Sequence, residues 1–248
     1  MTTLTEVMLD VARLMGIARD GTATGGSTTT LVDTSLGDES IDYAHGAIWF
    51  LSGNNSGKVA EITSYSNGTI TFSTLLACAS GNSYAVAHNK FPLNLIRQAV
   101  KYVLAGIEIP KVNTTHTAAS GEVTLAGVSN VRRVIVEDER NYGWQEVAGK
   151  IYFDDTGTSG SLKIWYIGKH DDLADTGSLD EAVDRQYVIW AAAAYLWRNL
   201  VEKINKDNPT AYELLNEAKS NEAAASSMTR RRGIKMMPRD PHYSRWIT

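Results

Sequence analysis

The sequence has few of the residues that would commit it to several protein classes. It contains a single cysteine, Cys78, which excludes an intramolecular disulfide framework and a cysteine-rich zinc site. No apolar run approaches the roughly 20 residues of a membrane-spanning helix, and Val188–Trp197 reaches only about half that length. The first residues lack the basic start of a signal peptide. We therefore expect a soluble protein made in a reducing cytoplasm.

Net charge is also small, but it is unevenly distributed along the chain. The 24 basic and 28 acidic residues leave a formal charge of −4, which gives no general attraction to nucleic acid or anionic lipid. Residues 228–248 hold six basic residues and one acid, a net of +5, so residues 1–227 carry −9. An acidic body with a basic end indicates that the two parts meet different partners.

Helical periodicity is clearest in three segments. Apolar residues recur three and four positions apart over Thr3–Met15, Pro92–Ala105 and, for six turns, Asp180–Lys206. A helix with one apolar stripe needs a neighbour against which to bury it. We therefore expect these three helices to pack together, with Trp190 and Trp197 inside.

Two capping patterns predict where the C-terminal helices begin. Ser178 and Glu181 have the spacing of a capping box, in which each side chain accepts a hydrogen bond from the other residue's backbone amide. Thr210 and Glu213 repeat the pattern after a break at Asn208-Pro209. The second of these helices is predicted to end near Ser226, and the remaining residues look extended.

Two regions carry short β-type runs separated by glycine and asparagine turns. In the first region, Thr29–His88, strands are predicted at Ala47–Leu51, Lys58–Tyr65, Thr69–Ser73 and Ser83–Ala87. The Asn67-Gly68 pair in this region is typical of a tight hairpin turn. In the second region, strands are predicted at Gly121–Leu125, Val131–Glu137, Gln145–Val147, Lys150–Phe153 and Ser161–Tyr166. The tryptophans of both regions, Trp49, Trp144 and Trp165, are expected to fill β cores.

These patterns together predict an α+β fold. A helical bundle layer is assembled from N-terminal, middle and C-terminal helices, with two inserted antiparallel β modules and an extended C-terminal arm. The predicted segments are the N-terminal helix 1–20, the first small antiparallel β module 29–88, the core helix 90–108, the second β region 121–167, the C-terminal core helices 178–226 and the extended basic arm 227–248.

Residues that could carry catalysis or bind a metal are present but form no known motif. Gly53–Val59 has some likeness to a phosphate-binding loop, but three residues separate its glycines instead of four, and Val59 stands where Ser or Thr would bind magnesium. The five histidines form no paired metal motif, and the densest group of ligands, His170–Asp172, falls in a predicted turn. We therefore predict no enzymatic activity, no catalytic residues, no metal and no cofactor.

The basic end of the chain combines cations with large apolar residues. Three interpretations are open: a solvated tail, an arm that docks onto a protein, and a nucleic-acid-binding segment that uses Arg230–Arg232. A purely solvating tail would not carry residues such as Tyr243 and Trp246. Arginine and aromatic side chains are enriched at interface hot spots, and Pro238 and Pro241 reduce the entropy cost of docking an extended arm. The docking interpretation is therefore favoured.

One stretch of the chain resembles a known family. Trp49–Val59 (WFLSGNNSGKV), followed by Ile62–Tyr65 and Gly68–Phe72, resembles a β module common in virion proteins of tailed phages. The order of elements is similar to that of phage head–tail connector proteins, also called adaptor or head-completion proteins. This order includes a late alanine-rich helix, Tyr187–Leu200, then a second helix and an arginine-containing tail.

The resemblance implies a structural protein of the phage neck, located in the virion at the head–tail interface. Such proteins form a homo-oligomeric ring, typically a dodecamer, under the portal protein. The ring's other face receives the next neck or tail protein, and genomic DNA passes through the lumen without sequence-specific binding. The C-terminal arms commonly dock into the portal, which implies the partner-binding residues Arg230, Arg231, Arg232, Arg239, Tyr243, Arg245 and Trp246. The alternative is a capsid decoration or fibre-associated binding module that uses its β regions.

Overall fold

The chain folds into two compact units. The computed structural model describes residues 2–37, 41–137, 139–140, 143–203 and 209–231. The described residues up to Leu104 and those from Asp172 onward form the first unit, and Ala105–Asp171 forms the second. The first unit contains the helices and a seven-stranded sheet, and the second contains two smaller sheets.

Four α-helices form in the described residues: α1 (Leu4–Leu14), α2 (Leu93–Ala105), α3 (Arg185–Lys203) and α4 (Pro209–Arg231). Helix α1 begins with a capping box, because the Thr3 hydroxyl accepts a hydrogen bond from the amide of Glu6 and the Glu6 carboxylate accepts one from the amide of Thr3. Helix α4 begins at Pro209, where the missing N–H would have no helical partner in any case.

Ion pairs connect the helices of the first unit to one another and to the segment that precedes α3. Arg185 Nε, at the start of α3, donates to Asp10 of α1 at 2.8 Å. In α2, Arg97 makes two parallel bonds to Asp175, from Nε at 2.8 Å and from Nη2 at 2.6 Å. Such paired, charge-assisted bonds fix orientation as well as distance. They hold α2 and α3 to elements that lie far away in the sequence.

The first unit is built around one antiparallel sheet with strand order β1-β7-β4-β5-β6-β3-β2. Its strands are β1 (Ala18–Thr22), β2 (Gly25–Gly26), β3 (Thr30–Val32), β4 (Ala47–Phe50), β5 (Val59–Ser66), β6 (Thr69–Phe72) and β7 (Ser83–Ala87). The register of β5 against β6 shifts between Ile62 and Ser64, a bulge that bends the strand. The sheet consequently curls into a half-barrel.

The turn between β5 and β6 is the one that the sequence predicts. Asn67 and Gly68 both have positive φ, 47° and 74°, which is the backbone of a two-residue type I′ hairpin. Glycine is also required at position 68 by space, because a Cβ there would collide with the backbone oxygen of Asp33. Local turn chemistry therefore sets the register of this hairpin.

One face of the curled sheet encloses an apolar core. Its buried residues are Ala23, Leu31, Leu36, Tyr43, Ile48, Phe50, Ile62, Ile70, Phe72, Cys78, Tyr84 and Val86. Strand β4 is buried along its whole length, so Trp49, which alternates with Ile48 and Phe50, is buried on the opposite face of the sheet. The interior position predicted for Trp49 is confirmed.

The second unit places two sheets over a shared core. One sheet has the order β12-β11-β15-β8, with β9 also paired to β15, and the other has the order β10-β14-β13. The strands are β8 (Glu108–Asn113), β9 (Thr117–Ala118), β10 (Glu122–Thr124), β11 (Val131–Val136), β12 (Glu139–Arg140), β13 (Trp144–Val147), β14 (Lys150–Phe153) and β15 (Gly160–Lys169). Inward residues of both sheets, including Val134, Ile164, Ile151 and Phe153, belong to one buried cluster.

The prediction of a helical bundle layer with two small β modules is wrong. The described residues contain fifteen strands in three sheets and four α-helices, and the seven-stranded half-barrel is the largest assembly. The sequence pattern assigns Asp20–Thr30 to a loop, but β1, β2 and the start of β3 form in or beside it. Their backbone groups find partners in β7 and β6, far along the chain, and local glycine and threonine content does not reveal such pairing.

Three helix details also differ from the predictions. Helix α3 begins at Arg185, so Ser178 and Glu181 do not cap it, and Asp184 accepts a hydrogen bond from the amide of Gln186 instead. Ser178 pairs with Thr3 in an isolated β-bridge. Trp190 and Trp197 are half-buried rather than inside. The segment before α3 is bonded to the start of α1, and this tertiary contact delays the helix.

Candidate partner-binding site

The predicted C-terminal arm begins inside a helix. Helix α4 continues to Arg231, so residues 227–231, predicted to be extended, are helical. Arg230 and Arg231 are adjacent on the last turn of α4. The other predicted partner-binding residues lie outside the described residues: Arg232, Arg239, Tyr243, Arg245 and Trp246.

Helices α3 and α4 precede the predicted arm in the chain. They pack against each other, and Arg198 Nη2 donates to the Glu222 carboxylate across the pair at 2.5 Å. Ala211, Ala218 and Ala225 are buried at seven-residue intervals along α4. Small side chains at this spacing form one seam along a helix and allow its neighbour to approach closely.

The two helices run antiparallel, which determines where the arm begins. Helix α3 has 19 residues and is therefore about 28 Å long. The five residues between Lys203 and Pro209 span at most about 20 Å, too short to return to the start of α3 for a parallel arrangement. The last turn of α4 consequently lies at the same end of the hairpin as the first turn of α3.

Acidic residues gather at that end of the hairpin. Asp180 accepts a hydrogen bond from the amide of Ala182 at 2.8 Å, and Asp184 accepts one from Gln186 at 3.0 Å. Carboxylates at a helix N-terminus and cations at a helix C-terminus both complement the helix dipole. Asp184 therefore lies where its charge complements the dipole of α3.

Among the described residues, the carboxylates of Asp171 and Asp172 are paired with lysines, and the thiol of Cys78 is buried. Asp171 is paired with Lys111 at 2.6 Å and Asp172 with Lys101 at 2.8 Å, which accounts for two of the three ligands in the cluster His170–Asp172. Among the described residues, no three His, Cys, Asp or Glu side chains lie close enough to hold a metal ion. Burial raises the pKa of the Cys78 thiol, which disfavours the nucleophilic thiolate.

In the loop Gly53–Val59, which has some likeness to a phosphate-binding loop, the side chain of Asn55 forms hydrogen bonds inside the protein. Gly53–Asn55 forms a turn of 3₁₀ helix, and Asn55 is buried beneath it. Its Nδ2 donates to the carbonyl of Leu76 at 2.6 Å, and its Oδ1 accepts from the amide of Leu76 at 3.1 Å. These two hydrogen bonds hold the backbone of Leu76 against the turn.

A buried ionisable pair joins β7 to the residue that follows β3. The Tyr84 hydroxyl donates to Asp33 Oδ2 at 2.7 Å, and both residues are buried. Burial acts to raise the pKa of Asp33, but hydrogen bonds from Tyr84 and Ser35 outweigh it and leave that pKa below its ordinary value. Burial, and then the Asp33 carboxylate, raise the pKa of Tyr84. This buried hydrogen bond links two segments of the half-barrel.

A shallow cavity of about 300 Å³ lies beside the end of α1. Its lining includes Arg19, Tyr43 and His88. The His88 ring packs against Phe91, with ring centroids 5.9 Å apart, and its Nδ1 accepts from the amide of Lys90 at 3.3 Å. Burial, and then the charge of Lys90, lower the pKa of His88. The lowered pKa favours the neutral form of the ring.

His88 is expected to make the protein less stable as the pH falls below about 6.5, its ordinary pKa. Because the folded-state pKa lies below that value, the unfolded chain binds the proton more readily. The stabilisation from neutral His88 is complete above this pH and is lost as the pH falls through the folded-state pKa. Denaturant unfolding should show that the stability advantage of wild type over His88→Gln shrinks in acid. A stability difference between wild type and His88→Gln that does not change with pH would contradict the lowered pKa of His88.

Sequence reasoning missed an outward-facing, partly exposed face of the second unit. Strand alternation points Arg133, Lys163, Trp165 and Val112 away from the core, whereas Trp165 is predicted to fill it. The Arg133 guanidinium lies over the Trp165 ring, 5.0 Å from its centroid. The alternation of Lys163, Trp165, Ile167 and Lys169 is a sequence signal that could have revealed this face.

Comparisons with known proteins leave the family open. No protein-family model matches the chain, and a comparison with curated proteins gives no match. None of the helices in the described residues is long and apolar enough to span a bilayer.

Proposed function

We propose that this protein is a structural connector of the tailed-phage neck, forming a homo-oligomeric ring between the portal protein and the next neck or tail protein. The observation that carries the proposal is the end of α4. The helix terminates in Arg230-Arg231, and the chain continues for 17 residues with four more basic residues, Tyr243 and Trp246. A packed hairpin that ends in such a segment is suited to present an arm to a partner.

The arm would act through charge and apolar burial in succession. Arginines guide the encounter with an acidic groove on the portal, because electrostatic attraction mainly raises the association rate. Tyr243 and Trp246 then supply most of the apolar area buried in the docked state. A ring presents many arms at once, so weak individual contacts add to a nearly permanent attachment.

The acidic body suits a protein that lies next to a DNA path. Residues 1–227 carry a formal charge of −9. A channel wall that is negatively charged like the DNA phosphates does not bind DNA through counterion release. It therefore does not slow the passage of the DNA. We accordingly propose that genomic DNA passes the ring without sequence-specific contact.

Imaging the protein within assembled particles tests the proposal. An engineered tag at an exposed loop, such as Ala79–Gly81, would mark the chain without touching the arm. Density on the particle axis between head and tail is the expected result. A distribution over the shell or along the fibres would reject the connector and support the alternative of a decoration or fibre-associated module.

A further inference from the structure

The segment between Gly177 and Arg185 carries the sequence of a helix start but is not helical. Ser178 and Glu181 have the spacing of a capping box, yet α3 begins only at Arg185. Glu181 also lies four residues before Arg185, the spacing and order at which an acid and a base stabilise a helix. The local sequence therefore favours a longer α3 with Ser178 as its N-cap.

The apolar stripe of α3 continues into this segment. Its members recur at intervals of four, four and three residues across the start of the helix: Leu179, Val183, Tyr187 and Trp190. The segment already makes one tight turn, because the amide of Val183 donates to the carbonyl of Asp180 at 3.0 Å, as in a 3₁₀ helix. This turn lies immediately before α3, so a small change of backbone joins the two.

The N-terminal residues hold the segment in its present form. The amide of Leu4 donates to the carbonyl of Gly177 at 2.9 Å. The amide of Leu179 donates to the carbonyl of Thr2 at 2.8 Å, and Arg185 Nη1 donates to the hydroxyl of the same threonine at 3.5 Å. Both ends of the segment are therefore bonded to Thr2, whereas a helix over the same residues would separate its ends by about 9 Å.

We infer that residues 2–5 form a latch that keeps α3 short, and that release of the latch extends the helix to begin at Leu179, with Ser178 as its N-cap. The inference goes beyond the proposed function and does not depend on it. A partner that binds the latch in preference to the segment before α3 drives the change, because a ligand shifts a two-state equilibrium by its difference in affinity for the two states. The device therefore couples binding at the N-terminus to the length of α3.

The two states exchange contacts of the same kind. Release breaks the backbone hydrogen bonds of the latch, and extension of the helix forms new backbone hydrogen bonds and a capping box. Arg185, whose Nε donates to Asp10 at 2.8 Å in the latched state, acquires Glu181 as its partner. The side chains of Ser178 and Glu181 are exposed, and the buried Leu179 joins the apolar stripe of the longer helix. The exchange of like contacts leaves the balance open to a binding partner.

A chain that lacks Thr2 and Thr3 tests the latch. Residues 179–184 should change from turn to helix, because both bonds to Thr2 and the β-bridge between Thr3 and Ser178 are removed. Backbone carbon chemical shifts measure the change residue by residue, and the amides of residues 182–185 should exchange with solvent more slowly. Shifts that stay outside helical values in an otherwise folded chain would overturn the inference.

A pair of surface substitutions provides the matched control. Ser178→Ala combined with Glu181→Ala replaces two exposed side chains, so the full-length chain should keep its melting temperature. In the shortened chain the same pair removes the capping box and should clearly reduce the gain of helix. A gain of helix that the pair leaves unchanged would overturn Ser178 as the start of the extended helix.

Asp184→Ala in the full-length chain keeps the test decisive where the shortened chain does not fold. Asp184 accepts a hydrogen bond from the amide of Gln186 at 3.0 Å and so caps the present start of α3. A chain with two available helix starts should respond by shifting toward the start at Leu179, and the carbon shifts of residues 179–184 should move toward helical values. Loss of helix at Gln186 and Tyr187 without any gain before them would overturn the inference.

Discussion

A chain that ends at Arg231 is expected to lose attachment to portal-bearing, DNA-filled heads while keeping the melting temperature of the full chain. The truncation leaves α4 intact, because the helix ends at that residue, and it removes 17 residues that include Tyr243 and Trp246. Since a ring multiplies the arms, loss of every arm removes the avidity as well as each contact. Attachment is measured by co-sedimentation of the protein with heads, and stability by thermal unfolding.

Two substitution sets separate the contributions within the arm. Tyr243→Ala combined with Trp246→Ala should mainly raise the dissociation rate, because buried apolar area sustains the docked state. Arg239→Gln combined with Arg245→Gln should mainly lower the association rate and its dependence on salt. Arg239→Lys combined with Arg245→Lys keeps the positive charge and serves as the matched control. Full attachment of the truncated chain would show that the segment is a free, solvated tail.

Replacing Trp49 by alanine is expected to reduce the free energy of unfolding by about 3–5 kcal/mol. Trp49 is 1% exposed. The buried residues beside it on the same face are Ala47, Ala85 and Ala87, so none of these can fill the space that the indole leaves. The cavity remains, and its cost adds to the lost burial. Equilibrium unfolding in denaturant measures the change.

Two other tryptophan variants make this test specific. Trp49→Phe keeps an aromatic ring and removes Nε1, a buried donor without an acceptor in the described residues, so it should lose clearly less than Trp49→Ala. Trp197 is half-buried against Phe91, with ring centroids 5.8 Å apart, and its alanine variant should also lose less. Equal losses at positions 49 and 197 would contradict the half-buried position of Trp197.

Elements marked by short-range signals could be predicted. The hairpin of β5 and β6 follows from Asn67-Gly68, because few residue pairs adopt two positive φ angles in succession. Strand β7 at Ser83–Ala87 and helices α1 and α2 match the predicted segments closely, since their periodicity is strong and their ends carry clear signals. The helical position of Arg230 and Arg231 was not predicted, because the helix was expected to end near Ser226.

Elements that depend on distant partners could not be predicted. Strand β1 pairs with β7 more than sixty residues later, and β3 pairs with β6, so a stretch that looks like a loop completes a seven-stranded sheet. Strand β8 contains Pro110, which argues against a central strand but is tolerated at the sheet edge that β8 occupies.

The sequence by itself determined the change of charge at the end of the chain, the local turns and most helices, because each of these depends on residues within a few positions of one another. Only the tertiary structure decided that sheets dominate the fold and that α3 starts at Arg185. In the folded chain, the amides of Leu4 and Thr5 bond to the carbonyls of Gly177 and Asp175, which holds the residues around Ser178 out of a helix. Hydrogen bonds between such distant segments outweigh a local capping pattern, because every buried backbone group requires a partner.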